Sequence, residues 1–86
     1  MLGTLDLLDK ALKIKPANQW AKQLGITRSA FSKAKERGRV SPSLTHALAT
    51  DIGADPIYWT AIAATEAEPE GPLKQRMKKA LIRSNL

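Results

Sequence analysis

Glycine and proline divide this chain into short segments, and their spacing leaves it little to fold into except short helices. Pro16, Gly25, Gly38, Pro42, Gly53, Pro56 and a Pro69–Gly71–Pro72 cluster interrupt it in turn. Between these breaks aliphatic residues recur at spacings of three and four, and no β-branched run alternates in the manner of a strand. The first helix is expected from Leu5 to Ile14, with Leu5, Leu8 and Leu12 on one face and Thr4 as its cap. Asp6 and Asp9 then sit near the positive end of the dipole and Lys10 and Lys13 toward the negative end, and Pro16 blocks continuation. A second helix is expected from Ala17 to Leu24, turning Trp20, Ala21 and Leu24 inward and ending at Gly25. Thr27 is a suitable cap for a third helix to Arg37, which has an apolar seam of Ala30, Phe31 and Ala34 and ends at Gly38.

Ser41-Pro42 and Asp55-Pro56 each combine a capping residue with proline at the first helical position. They open a fourth helix to about Asp51, with Leu44, Leu48 and Ile52 on one side, and a fifth from Pro56 to Glu66. The fifth is apolar over most of its circumference, which places it in the centre of the core or in an interface. After the break at Glu68–Pro72 a sixth helix is expected, with Leu73, Met77, Ala80 and Leu81 on one face and cations on the rest. The expected fold is all-α: a five-helix domain over residues 1–68, then a basic helix or tail over residues 69–86. That last segment could dock on the core, swap with a partner or fray in solvent.

With 86 residues there is material for one modest core. Cysteine is absent, which removes disulfides and thiolate chemistry. No stretch approaches the ~18 apolar residues of a membrane span. The start, Met1-Leu2-Gly3-Thr4-Leu5-Asp6, does not read as a secretory signal, so the expected location is the cytoplasm.

The net charge is +6, and its distribution is uneven. Residues 10–39 hold nine cations against one anion, Glu36; residues 40–70 hold five anions and no cation; residues 71–86 hold five cations and no anion. Positive charge gathered on one stretch is the footprint of a polyanion binder, although a solvated face would give the same count.

That basic stretch contains Ala17 to Gly38, ANQWAKQLGITRSAFSKAKERG, which reads as helix, tight turn, helix. Ala21 is small where the two helices are expected to cross closely, Gly25 supplies the turn, Ile26 is expected to plug the corner, and Trp20 and Phe31 to fill the space between the helices. Once Phe31 faces inward, the helical period turns Arg28, Ser29, Ser32, Lys33 and Glu36 outward. These suit a major groove: Arg28 for guanine O6 and N7, Ser29 and Ser32 for bases or phosphates, and Lys33 for a base acceptor or phosphate. Arg37 and Arg39 would hold the backbone at the far end.

The segment resembles the helix-turn-helix of the phage repressor and Cro superfamily at Ala21, Gly25, Ile26, the opening Thr27-Arg28-Ser29, and Phe31. The likeness extends over about residues 5–66. The chain also resembles small regulators of filamentous phages at Ala21–Thr27 and Gly53–Trp59. The resemblance implies a sequence-specific double-stranded-DNA-binding regulator that acts as a dimer on a palindromic operator. The base-reading residues would be Arg28, Ser29, Ser32 and Lys33, and the phosphate contacts Gln19, Lys22, Thr27, Arg37 and Arg39. Two positions depart from the pattern. Ala17 stands where the superfamily often has a phosphate-clamping Gln, and Ala34 stands where a large apolar side chain is usual.

Other residues invite plainer readings. Trp20 shares a face with Ala21 and Leu24 and is expected in the core; Trp59 leans the same way, and Tyr58 could lie in the core or a dimer surface. His46 has no ligand set around it and reads as a helix-surface residue. Ser29 and Ser32 lack an activating base, and no phosphate-binding glycine loop is present. No enzymatic activity, cofactor, metal, membrane or small-molecule substrate is expected. The competing reading is a protein-binding helical module, an antitoxin or antirepressor, that uses the segment after Gly71.

Overall fold

The structure, a computed structural model, describes residues 3–84. It contains α1 (Thr4–Ile14), α2 (Ala17–Leu24), α3 (Ser29–Arg37), α4 (Pro42–Ile52), α5 (Pro56–Ala67) and α6 (Pro72–Ser84), with no strand among the described residues. Residues 1–2 and 85–86, the ends of the two expected segments, lie outside the described residues. The punctuation acts as its chemistry requires. Ser41 Oγ accepts the Leu44 N–H at 3.4 Å, and Asp55 Oδ1 accepts those of Ile57 and Tyr58 at 3.0 and 3.3 Å. Gly25 closes α2 at φ 68°, in the left-handed region that a Cβ resists, and the next amide, of Ile26, returns to the Ala21 carbonyl at 3.0 Å.

One apolar cluster unites all six helices: Leu7, Leu8 and Ala11 of α1, Trp20 and Ala21 of α2, Phe31 and Ala34 of α3, Leu48 and Ala49 of α4, Trp59 and Ile62 of α5, and Leu81 of α6. α4 and α5 pack most extensively, α1 lies against both, and α6 lies against α5. The nearly all-apolar α5 is therefore a core helix, with Ile62 and Ala63 fully buried and Trp59 nearly so, while Tyr58 is half-buried beside it. Trp20 is buried too, and its Nε1–H donates to the Ala11 carbonyl at 2.7 Å.

Several local expectations are corrected. Thr4 does not cap α1 but begins it. Gly3 precedes the helix, and its N–H donates to Asp6 Oδ2 at 2.9 Å. Thr4 is fully buried instead, because its hydroxyl meets partners brought from far along the chain: it donates to the Glu66 carboxylate and accepts the Val40 N–H at 2.8 Å. The buried face of α1 is centred on Leu7, Leu8 and Ala11; Leu5 and Leu12 flank it, half-buried. Thr27 does not cap α3, since its hydroxyl pairs with that of Ser29 at 2.9 Å. Ile26 does not fill the corner and remains 38% exposed. The close crossing of α2 and α3 is not among the extensive helix contacts; the two meet through core side chains, and Ala21 is buried within that cluster. On α6 the apolar face is split: Leu81 enters the core, while Leu73 remains 68% exposed.

Candidate nucleic-acid interface

α3 is held by one narrow side. Phe31 and Ala34 are buried and Ala30 is half-buried, so the helical period leaves the opposite side to solvent. Arg28, Ser29, Ser32, Lys33 and Glu36 are all exposed there. Arg28 stands at the N-cap position in helical conformation, and the first turn carries no acidic residue. A cation at the positive end of the helix dipole gives up the small stabilisation an acid would supply. The charge of that end favours an approaching anion, although the Ala30 and Phe31 amides there already donate to the Thr27 and Arg28 carbonyls at 3.1 and 3.2 Å. Lys33, Lys35 and Arg37 continue the positive charge along the helix, with Glu36 the single acid in it.

The proposed phosphate contacts divide into two groups. Gln19 and Lys22 on α2 and Arg37 at the end of α3 are exposed. Thr27 is exposed as well, but its hydroxyl is shared with Ser29, so the two present one coupled pair of hydroxyls. Arg39 is half-buried, and its Nη1 donates to the Glu66 carbonyl at 3.3 Å. Part of its donor capacity therefore serves the fold, leaving less for a phosphate. The Thr27–Ser29 pair contains no base, so what this face offers is hydrogen-bond donors and acceptors. Ala17, half-buried at the start of α2, offers no polar group where a clamping amide would stand; Asn18 and Gln19 beside it are exposed.

Three supporting interactions were not foreseen from sequence. Gln23 Nε2 donates to Asp51 Oδ2 at 2.8 Å, tying α2 to the end of α4. The Lys15 ammonium donates to the Gln23 side chain and also lies 4.4 Å from the centre of the Trp20 ring. The two hydrogen bonds link α2 to its neighbours across 28 and 8 residues, and neither follows any local periodicity. The small inner residue Ala34 also has a consequence: a cleft of about 300 Å³ opens behind α3, lined by Leu24, Ile26, Ala30, Ala34, Leu44 and Ala47 with Arg37, Ser41 and Ser43 also at its wall. Ile26 borders this cleft rather than closing it.

Among the described residues no group of three or more His, Cys, Asp or Glu side chains could hold a metal ion, and His46 is exposed on α4. Nor is any helix there long and apolar enough to cross a membrane. Compared with protein-family models, with curated proteins and with solved structures, the chain matches none significantly.

Proposed function

We propose that this protein is a sequence-specific double-stranded-DNA-binding transcriptional regulator of the phage or prophage repressor type, acting as a homodimer on a palindromic operator. The observation that carries the reading is the two-sidedness of α3: Phe31 and Ala34 fix one side in the core, and Arg28, Ser29, Ser32 and Lys33 occupy the other with no side-chain anchor deeper in the protein. A helix with its side chains is ~10–12 Å across, and the major groove is ~12 Å wide. In that groove Arg28 and Lys33 would reach base edges and the serines would approach bases or phosphates. Gln19, Lys22, Thr27 and Arg37 would fix the register, with Arg39 contributing what its bond to Glu66 leaves free. Two copies with recognition helices ~34 Å apart would enter successive major grooves and exclude polymerase.

The test is fluorescence anisotropy with DNA from around the protein's own gene against scrambled DNA of equal length, at two salt concentrations. The expected result is a preference of ~10³-fold or more with a steep salt slope. Arg28→Ala should cost roughly 1–3 kcal/mol, concentrated at one base position, whereas Arg37→Ala should weaken all sequences alike and flatten the salt slope. Equal losses on every sequence from both variants would refute the division into reading and anchoring residues. Equal, weak binding of the parent protein to both DNAs would refute the function.

A further inference from the structure

We propose that the solvent-facing side of α6, centred on Leu73 and Arg76, is a docking surface for an acidic amphipathic helix of another protein. α6 is anchored to α5 by Leu81, with Lys74, Met77 and Lys78 half-buried around it. That orientation leaves Leu73 68% exposed and opens an apolar cleft of about 460 Å³ along Leu73, Met77 and Ala80, with Glu68 at one end. Arg76 borders the same cleft, and a second hollow beside it is lined by Arg76, Lys79, Ala80 and Arg83. The result is an apolar stripe with a row of three cations along one edge. Arg76, Lys79 and Arg83 follow a spacing of three and four, which repeats along a single helix face over ~10 Å. A partner helix with apolar residues at the same period and carboxylates along one flank is complementary to both features.

Charge decides between the possible occupants. α6 carries no acidic residue, so pairing its stripe with that of a second copy would bring cation rows together. Of the acids just before α6, Glu70 is already paired with Lys74 at 3.0 Å, and Glu68 at the cleft is a single acid against the three cations of the row. DNA would satisfy Arg76, Lys79 and Arg83, but a row of phosphates leaves Leu73 and Met77 uncovered. An acidic amphipathic helix covers the apolar stripe and neutralises the row together. This surface is independent of α3, so the inference stands or falls separately from the DNA-binding reading.

The experiment uses the full chain and two synthetic helical peptides of equal length. Both carry leucines at i, i+4, i+7 and i+11; one has glutamates along the flank and the other lysines at the same positions. Anisotropy titration should give at least tenfold tighter binding of the glutamate peptide. Leu73→Ser should weaken that binding about tenfold or more, and Arg76→Glu with Arg83→Glu should reverse the preference. Leu73 is exposed enough for its substitution to spare the fold, which the helical circular dichroism signal checks. Equal affinity for the two peptides, or binding of neither, would overturn the proposal. So would a dimer, seen by light scattering, that Leu73→Ser dissociates, because a second copy would then cover the stripe. A loss of duplex-DNA affinity in Leu73→Ser equal to its loss of peptide affinity would overturn it as well, by assigning the stripe to DNA.

Discussion

Replacing Thr4 with valine keeps the shape of a fully buried side chain and removes only its hydroxyl. That hydroxyl joins three places remote in sequence: the start of α1, the Glu66 carboxylate near the end of α5, and the Val40 N–H between α3 and α4. Two losses follow. The Val40 N–H, in a residue 1% exposed, loses its acceptor at 2.8 Å, and a buried orphaned donor costs about 1–3 kcal/mol. Glu66 loses a hydroxyl donor, and a hydrogen bond to a charged group is worth about 1.5–3 kcal/mol. The Thr4 N–H still donates to Glu66 Oε2 at 3.0 Å, which holds the carboxylate in place and keeps the sum toward its lower end. We expect Thr4→Val to lose about 3 kcal/mol, equivalent to a fall in Tm of roughly 12–24 °C for a domain this small. Thr4→Ser retains the hydroxyl, gives up one methyl and should lose only about 1 kcal/mol. Urea denaturation followed by circular dichroism at 222 nm measures both. A valine variant within about 0.5 kcal/mol of the parent, or no more damaging than the serine variant, would refute the assignment of stability to this hydroxyl.

Gly25 sits at φ 68° with open space where a Cβ would stand, so Gly25→Ala should lose about 1–2 kcal/mol from backbone strain alone, and Gly25→Asn should lose less because asparagine tolerates that region; thermal unfolding of the three proteins checks the order. The hydrogen bond from Lys74 to Glu70, reinforced by attraction to Lys74 and Lys78, holds the Glu70 carboxyl below its ordinary pKa. A depressed folded-state pKa contributes stability above the unfolded value and loses it as pH falls through the folded one. The first turn of α6 should therefore loosen in acid below the usual carboxylate range, as followed by the amide NMR shifts of residues 72–76, and Glu70→Gln should remove that dependence.

The helices were legible because their signals are local. Ser41-Pro42, Asp55-Pro56, Gly25, Gly38 and Gly53 each act within one turn of themselves, and the boundaries of α2 and α4 follow almost to the residue. The exposure of Arg28, Ser29, Ser32 and Lys33 was equally legible, since burying Phe31 fixes the other side of a nine-residue helix. What the sequence concealed is long-range. Thr4 carries the chemistry of a cap, and only the fold brings Glu66 and Val40 to it, 62 and 36 residues away. Leu73, Met77, Ala80 and Leu81 form one face by period, yet α5 takes only the Leu81 side, so the periodic pattern did not reveal which part of the stripe would remain outside.

The Thr4 hydrogen bonds also bear on the proposed function, through the placement of α3. One end of that helix follows the Gly25 turn; the other runs through Gly38 into Arg39 and Val40, where Arg39 bonds the Glu66 carbonyl and Val40 bonds Thr4. The link from the end of α3 to the rest of the fold therefore passes through side chains that contact no part of the proposed reading face. A domain of this length carries roughly 4–13 kcal/mol, so from mid-range a loss of about 3 kcal/mol leaves more than ~99% of molecules folded in the cold. Thr4→Val also leaves the net charge unchanged. At 10 °C, then, any loss of operator affinity in this variant comes from the orientation of α3 and not from unfolding or weakened attraction to phosphate. We expect specific binding to fall while binding to scrambled DNA and its salt slope stay constant, because base contacts depend on angle and position more steeply than phosphate contacts do. Unchanged specific affinity would mean that the Gly25 turn and the burial of Phe31 and Ala34 orient α3 by themselves, and that the Thr4 network contributes stability alone.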